Sequence, residues 1–512
     1  MENKCAIKME NITKRFGSVV ANNAINIELR EGEILSLLGE NGSGKTTLMN
    51  MLSGIYFPDE GQIYIHDKPV TIASPKDAFD LGIGMIHQHF KLVDLFTATE
   101  NIILGLEGKL DLNNARKKVK DICDRYGFDI DPDMKIYDMS VSQKQTVEIV
   151  KVLYRGADIL ILDEPTAVLT PQETDKLFAV MRNMKADGKS LIIITHKLHE
   201  VLDVSDRVAV LRKGEYIGDV QTKDADQQSL TDMMVGHSVT LNINRPEPIN
   251  VTPRLKLDGL TVFDELGVKR LDNVSFTINA GEVLGVAGVA GSGQRELLES
   301  IAGLYPIQSG SVTFFPPEEN GQSLELVGKD PMDIRKAGIA MSFVPEDRLG
   351  MGLVGSMGMT GNMMLRSWRK GKGAFLNRKD PEALAQRIWQ ELEVVTPSTS
   401  FPVRRMSGGN VQKVLVGREI AQQPSVLMTA YAVRGLDINT SYTIYNLLTE
   451  QKMKGVAVVY VGEDLDVLLE LCDRIVVLCG GQVSGVVDAR KTNKLEVGAL
   501  MTRVEGGAKE NA

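Results

Sequence analysis

One sequence pattern occurs twice in this chain of 512 residues, and the two copies differ in their polar residues. The glycine-rich segment Gly39–Thr46 recurs as Gly288–Arg295, where glutamine and arginine replace the lysine and threonine. Three later positions of the first copy have counterparts in the second at one constant spacing: Ser140 corresponds to Ser407, Asp163 to Ala430 and Asp206 to Asp473. Each copy is long enough to bury its own hydrophobic core, so the chain is predicted to fold as two related units.

Strand-like and helix-like segments alternate in each copy, which predicts an α/β fold built on a parallel sheet. In both copies a short apolar strand precedes the glycine-rich turn and a helix follows it. A strand-rich segment opens each copy, at 8–29 and 255–278. A helical insert comes later, at 97–155 and 357–423, and the second copy is longer before it, partly through 314–329.

The domain boundaries are predicted from the repeat and from the segment Arg245-Pro-Glu-Pro between the copies, since proline resists both helix and strand. We expect a first domain at 1–240, a linker at 241–253, a second domain at 254–503 and a disordered tail at 504–512.

Charge and composition exclude several classes of protein. The formal net charge is −9, which argues against nucleic acid as a partner, because phosphate backbones bind to basic surfaces. The charged first residues predict no signal peptide, and the chain lacks an apolar run of about 18 residues, the length that spans a membrane. The four cysteines have neither metal nor disulfide spacing, so we expect reduced packing residues.

The first glycine-rich segment has the pattern of a phosphate-binding loop. Its glycines let backbone N–H groups point at phosphate oxygens, and the helix that follows adds its positive end. Lys45 is predicted to reach the β- and γ-phosphates of a nucleotide, and the Thr46 hydroxyl to bind Mg²⁺. The candidate nucleotide-binding residues are Gly39, Glu40, Asn41, Gly42, Ser43, Gly44, Lys45, Thr46 and Thr47.

Acidic and polar residues follow later strands of the first copy. Asp163 suits a water-mediated contact to Mg²⁺, and Glu164 suits a base for the attacking water. His196 follows another buried strand and is predicted to sense the γ-phosphate, as is Gln88, which is also a candidate Mg²⁺ ligand. Phe16 is a candidate for stacking on adenine, with packing in the core as the alternative.

The segment Met406-Ser-Gly-Gly-Asn410 resembles the signature motif of ABC-type ATPases, and Met139-Ser-Val-Ser-Gln143 is an altered copy of it. The resemblance covers about residues 5–503 and implies two tandem ABC-type P-loop (RecA-like) ATPase cassettes, each with a β-rich N-terminal part and a helical insert. Residues 163–173 are typical of the twin-cassette ATPases of bacterial sugar and nucleoside importers. Segments 87–93, 153–157 and 344–348 look most like the nucleoside branch, which serves basic-membrane-protein-type lipoproteins.

The resemblance also implies that cassettes pair head to tail and share each ATP between the loop of one and the signature of the other. The first loop would then work with Ser407, Gly408 and Gly409, and every element of that site is intact. The other site has an altered signature and six altered loop-side residues: Gln294, Arg295, Glu346, Ala430, Tyr431 and Glu463. We expect hydrolysis of Mg²⁺-bound ATP at the first site alone, and a second site able to hold a nucleotide only weakly.

The implied function is the ATP-hydrolysing, energy-coupling subunit of an importer, peripheral to the cytoplasmic face of the membrane. The implied partners are two integral-membrane permeases and, indirectly, an extracytoplasmic substrate-binding lipoprotein. A nucleoside is the expected cargo, with a ribose- or galactose-type monosaccharide as the alternative. A soluble twin-cassette ATPase acting on ribosomes or DNA is a more distant alternative, disfavoured by the acidic charge and the short linker.

Overall fold

A computed structural model describes residues 4–17, 19–87, 90–106, 111–167, 169–195, 197–236, 243–264, 266–318, 321–336, 339–368 and 376–502. The chain divides into two compact units, Met1–Thr240 and Leu241–Ala512, each described here by itself. The expected tail at 504–512 and the first two residues of the expected linker lie outside the described residues.

The first unit contains ten strands and eight helices among its described residues. The strands are β1 (Cys5–Phe16), β2 (Val19–Arg30), β3 (Ile34–Leu38), β4 (Glu60–Ile65), β5 (Lys68–Val70), β6 (Ile83–Ile86), β7 (Ile159–Asp163), β8 (Ser190–Ile194), β9 (Arg207–Arg212) and β10 (Glu215–Gln221). The helices are α1 (Lys45–Leu52), α2 (Pro75–Asp80), α3 (Ala98–Ile103), α4 (Leu112–Tyr126), α5 (Val141–Tyr154), α6 (Pro171–Ala186), α7 (Leu198–Val204) and α8 (Gln227–Val235).

The second unit repeats this order over its described residues. Its strands are β11 (Thr252–Phe263), β12 (Lys269–Ala280), β13 (Val283–Ala287), β14 (Ser309–Phe314), β15 (Leu324–Glu325), β16 (Met341–Val344), β17 (Val426–Ala430), β18 (Ala457–Val461), β19 (Arg474–Cys479) and β20 (Gln482–Asp488). Its helices are α9 (Gln294–Ile301), α10 (Pro331–Lys336), α11 (Met359–Met364), α12 (Lys379–Glu391), α13 (Gly408–Ile420), α14 (Ile438–Met453), α15 (Leu465–Leu471) and α16 (Lys494–Met501).

Each unit has an antiparallel sheet and a larger, mostly parallel sheet. The antiparallel sheets have the orders β2-β1-β4-β5 and β12-β11-β14-β15. The larger sheets have the orders β10-β9-β3-β8-β7-β6 and β16-β17-β18-β13-β19-β20, and only β10 and β20 run antiparallel to their neighbours. Every residue of the central strands β3 and β13 is buried, as a parallel strand covered on both faces requires. The predicted tandem α/β fold is confirmed.

The strand ends that position the candidate site residues lie at one edge of each larger sheet. In the first unit, α1 packs four apolar residues into the core between the two sheets: Leu48, Met49, Met51 and Leu52. This packing fixes the glycine-rich turn between β3 and α1 at the carboxyl edge of the sheet. Strands β6, β7 and β8 end at the same edge because they run parallel to β3.

The helical inserts form where the sequence predicts them. Helices α3, α4 and α5 share a small core of their own, and α11, α12 and α13 occupy the corresponding place in the second unit. Part of the extra length of the second copy lies in the β14–β15 turn: Phe314 pairs with Leu324, whereas Ile65 pairs with Lys68 across the shorter β4–β5 turn.

The segment between the copies packs on the second unit. Ile243 is buried in the core of that unit, and the Lys452 ammonium donates a 2.5 Å hydrogen bond to the Pro246 carbonyl. Strand β11 begins at Thr252, inside the range expected for the linker, because Thr252 and Pro253 already pair with β12.

Candidate functional site

The first glycine-rich loop joins β3 to α1, and its glycines are required by close contacts. A Cβ atom at Gly39 would lie 2.3 Å from the Leu211 carbonyl oxygen. Gly44 has φ of +97°, and a Cβ there would lie 2.4 Å from the Ala21 carbonyl oxygen. The loop therefore holds a tight, left-handed turn that presents backbone N–H groups at the start of α1.

Polar side chains of this loop are held in its interior. The Lys45 ammonium donates to the carbonyl oxygens of Gly39 at 2.6 Å and Glu40 at 3.0 Å, and only 7% of the side chain is exposed. Burial lowers the pKa of Lys45, against the opposing pull of Glu164 and Asp163. The buried Ser43 hydroxyl has no hydrogen-bond partner among the described residues. An unsatisfied hydroxyl beside an ammonium and a row of N–H groups fits a polyphosphate.

The remaining loop residues differ in exposure. Glu40 and Thr47 are half-buried, whereas Asn41, Gly42 and Thr46 are exposed. Because α1 begins at Lys45, Thr46 and Thr47 lie in its first turn, where Cα–Cβ bonds tilt toward the N-terminal end of the helix.

Two carboxylates stand at the end of β7. The Thr46 side chain lies close enough to the buried Asp163 to lower the pKa of that carboxyl, so two of the three expected Mg²⁺ ligands are neighbours. Burial first, and Glu164 second, raise the pKa of Asp163 to about 6. Glu164 has φ of +48° and donates its N–H to the Ile194 carbonyl oxygen at 2.8 Å, which anchors the turn to β8.

The other predicted site residues are only partly described. Gln88 and His196 lie outside the described residues, although the strands that precede them, β6 and β8, end at the same edge as β7. Phe16 is 44% exposed at the end of β1, with its ring 5.2 Å from that of Tyr56 and the Lys14 ammonium 5.6 Å from its centre. This exposure argues against the alternative that Phe16 packs in the core.

A buried carboxylate that the sequence analysis did not identify supports this edge of the sheet. Glu200 in α7 is 3% exposed and accepts hydrogen bonds from Thr166 at 2.6 Å and Thr195 at 3.4 Å. It ties the chain after Glu164 to the end of β8. The sequence signal that could have identified Glu200 is a glutamate on the apolar face of a short helix.

The second unit keeps the backbone of this site and changes its chemistry. Gly293 has φ of +96°, close to the value at Gly44, and Tyr431 has φ of +50°, close to that of Glu164. The Gln294 amide donates to the Val289 carbonyl oxygen at 3.2 Å and supplies no charge. Burial, together with nearby carboxylates, raises the pKa of Tyr431 to about 12, so its phenol is neutral and a poor base.

The signature segments are built differently in the two units. Ser140 and Gln143 form a capping box at the start of α5. Ser407 instead accepts from the Asn410 amide at 2.8 Å, and Asn410 in turn accepts from the Val395 N–H at 2.7 Å. Asn410 thus joins the loop before α13 to the end of the α12 region. Gly408 is exposed and Gly409 half-buried in the first turn of α13.

Three further observations concern the described residues as a whole. None of the helices in this part of the chain is both long and apolar enough to cross a membrane, and no group of three or more metal-binding side chains occurs in it. All four cysteines are free, and Cys123, Cys472 and Cys479 are buried.

Comparison with known proteins gives one family for both halves. The model of the ABC transporter family matches residues 22–167 and 271–429. The chain is 42% identical over 510 residues to the nucleoside import ATP-binding protein NupA of Lactococcus lactis, covering 98% of this chain and 99% of that protein.

Other relatives are named for different transported substrates. The guanosine import ATP-binding protein NupO of Bacillus subtilis is 42% identical, with 98% of both chains covered. The ribose import ATP-binding protein RbsA of Corynebacterium glutamicum is 35% identical, with 99% of this chain and 95% of that protein covered.

Proposed function

Because the chain belongs to the family of ABC transporter ATP-binding proteins, we propose that it hydrolyses ATP in its first unit to drive import of nucleosides. The observation that carries the ATPase assignment is the meeting of Lys45, Thr46 and Asp163 at one edge of the first sheet. The higher identity to relatives named for nucleosides and guanosine than to the one named for ribose supports the cargo. A monosaccharide is the second candidate.

The residues of the first unit have separate tasks in this proposal. The loop N–H groups, Ser43 and Lys45 hold the phosphates of the substrate ATP, with Phe16 against the adenine. Thr46, Asp163 and Gln88 would hold Mg²⁺, and the ion would supply positive charge that neutralises the charge developing on the phosphates. Glu164 accepts a proton from the attacking water, and His196 contacts the γ-phosphate. The signature motif alone supports three further residues as ATP ligands: Ser407, Gly408 and Gly409.

The proposed assembly follows from the relatives' role in import. Such a subunit acts with membrane permeases, so we place it at the cytoplasmic face of the membrane, with two permeases and an extracytoplasmic binding lipoprotein as partners.

Uptake by cells tests the cargo and the site together. In cells that depend on this protein, Lys45→Ala is expected to abolish uptake of labelled nucleosides and leave uptake of pentoses and galactose unchanged. The change removes a charge-assisted hydrogen bond worth about 1.5–3 kcal/mol, or roughly 10- to 100-fold in ATP affinity. Gln294→Ala, at the same position of the second loop, is the matched control and should retain uptake.

Two outcomes would contradict parts of this proposal. Loss of sugar uptake alone would keep the ATPase and replace nucleosides by a monosaccharide as the cargo. Unchanged uptake of every substrate would mean that the chain does not drive import, and soluble partners such as ribosomes would then be tested.

The pKa of Asp163 predicts a pH dependence of Mg²⁺ binding. Since burial raises this pKa to about 6, the carboxylate is present above that pH and is lost as the pH falls through it. The ionised carboxylate, and not the neutral acid, would help to hold Mg²⁺, so the affinity for Mg²⁺-ATP should fall about tenfold for each pH unit below the pKa. Equilibrium binding of Mg²⁺-ATP between about pH 5 and pH 7 measures this.

The Asp163→Asn chain is the reference, because ATP itself also titrates in this range. The wild-type affinity should change more steeply with pH than that of Asp163→Asn. Equal slopes for the two chains would show that Asp163 does not control the binding of the metal.

A further inference from the structure

An ion network joins three loops of the second unit. Glu346, Arg434 and Glu463 follow β16, β17 and β18 respectively. Arg434 pairs with Glu346 through Nη1 and Oε1 at 2.5 Å, and with Glu463 through Nε and Oε1 at 3.3 Å. The guanidinium of Arg348 also donates a hydrogen bond to the Arg434 carbonyl oxygen. Side chains from loops distant in sequence are thus linked through one arginine.

The network lies where the repeat places the far end of a nucleotide. Glu346 corresponds to Gln88 and Glu463 to His196, the two residues predicted to contact a γ-phosphate in the first unit. Both neutral or basic groups are therefore replaced by carboxylates. Arg434, which corresponds to Ala167, lies between those carboxylates.

The surroundings of the network are also unfavourable to an anion. A cavity of about 380 Å³ next to it is lined by three carboxylates, one guanidinium and three apolar residues: Glu299, Glu346, Asp347, Arg295, Phe343, Met351 and Ala430. The guanidinium of Arg295 is already paired with Glu299 at 2.7 Å. A polyphosphate entering here would meet excess negative charge.

The loss of the loop lysine alone would not keep a nucleotide out of the second unit. The second loop keeps the left-handed turns at Gly291 and Gly293 that aim backbone N–H groups outward. Replacing an ammonium by the Gln294 amide removes a contact worth about 1.5–3 kcal/mol, which weakens phosphate binding without forbidding it. The network at the far end is a separate obstacle.

We propose that Glu346, Arg434 and Glu463 form a latch that occupies the γ-phosphate position of the second unit and excludes nucleoside triphosphates. A γ-phosphate could approach only by displacing the guanidinium from both carboxylates and then lying against them. The latch also ties the loops after β16, β17 and β18 together through one guanidinium. The first unit has no equivalent guanidinium at position 167.

Replacing second-unit residues by their first-unit counterparts in two steps separates the effect of the latch from the effect of the missing lysine. In the full chain carrying Glu164→Gln, so that ATP is not consumed, we would compare Gln294→Lys alone with Gln294→Lys, Glu346→Gln and Glu463→His combined. Equilibrium dialysis with radiolabelled ATP should give one bound ATP per chain for the parent and for Gln294→Lys alone, and two for the combined variant.

Either of two results from the dialysis would overturn the proposal. Two ATP per chain with Gln294→Lys alone would mean that only the lysine was missing. One ATP per chain in the combined variant would mean that the carboxylates are not the barrier. The latch side chains are solvent-accessible, with 55%, 37% and 48% exposure for Arg434, Glu346 and Glu463, so changing Glu346 and Glu463 is expected to leave folding normal. Gln294 is buried, so thermal unfolding is measured for both variants that carry Gln294→Lys.

Hydrogen exchange tests the ordering role. Arg434→Ala should speed amide exchange in the loops that follow β16, β17 and β18, whereas Arg295→Ala, which breaks a pair within one helix, should not. Equal effects of the two changes would show that Arg434 does not order these loops. Neither experiment measures uptake or hydrolysis, so its failure is distinct from failure of the proposed function.

Discussion

Replacing Glu164 by glutamine is expected to lower ATP hydrolysis by the full chain about 100- to 10,000-fold, the usual contribution of a general base. Glutamine has nearly the same shape but cannot accept a proton from the attacking water. The backbone at this position is held by the hydrogen bond from its N–H to Ile194, which the substitution preserves. Phosphate release at saturating ATP measures the loss, and equilibrium binding should show that ATP affinity is retained.

The second unit provides a matched control for this change. Tyr431 occupies the same left-handed position after β17 that Glu164 occupies after β7. Tyr431→Phe removes only the neutral hydroxyl and should leave hydrolysis unchanged. Hydrolysis by Glu164→Gln at the wild-type rate, or a large loss with Tyr431→Phe, would contradict the assignment of catalysis to the first unit alone.

The parts of the fold around the candidate site that sequence reasoning predicts correctly are local. The glycine-rich turn between β3 and α1 has its backbone conformation dictated by neighbouring residues, because only glycine fits the contacts at Gly39 and Gly44. Strands β7 and β8 are continuous apolar runs, so their ends could be placed from periodicity. The roles assigned to Gln88 and His196 stay predictions, since both lie outside the described residues.

The parts that sequence reasoning misses depend on contacts between distant segments. The sequence shows that Glu346, Arg434 and Glu463 are altered or charged, but not that Arg434 bridges the other two, because that requires three strand ends to meet. Glu200 is similar: its partner Thr166 comes from another loop. Tertiary hydrogen bonds between elements far apart in sequence leave no periodic signal.

Replacing Arg207 by alanine is expected to destabilise the first unit by about 3–5 kcal/mol, because it leaves a buried carboxylate without its partner. Arg207 is 1% exposed, and it contacts Glu33 at 2.8 Å and 3.0 Å and Asp219 at 3.0 Å. It also donates to the Glu28 carbonyl oxygen at 2.8 Å. One side chain therefore links β2, the start of β3, β9 and β10. Chemical unfolding, followed by circular dichroism, measures the free energy.

An exposed ion pair made by the adjacent residue, Asp206, is the control for the buried pair of Arg207. Asp206 pairs with Lys185 at 2.5 Å, but both side chains are more than a third exposed, so Lys185→Ala should cost only about 0–1 kcal/mol. Glu33→Gln combined with Arg207→Met should recover part of the loss, since no unpaired charge then stays buried. Hydrogen exchange in β3 and β9 assigns the change to the first unit. If Arg207→Ala costs no more than Lys185→Ala, the buried pair does not hold these strands together, and the apolar core between the two sheets must carry that stability.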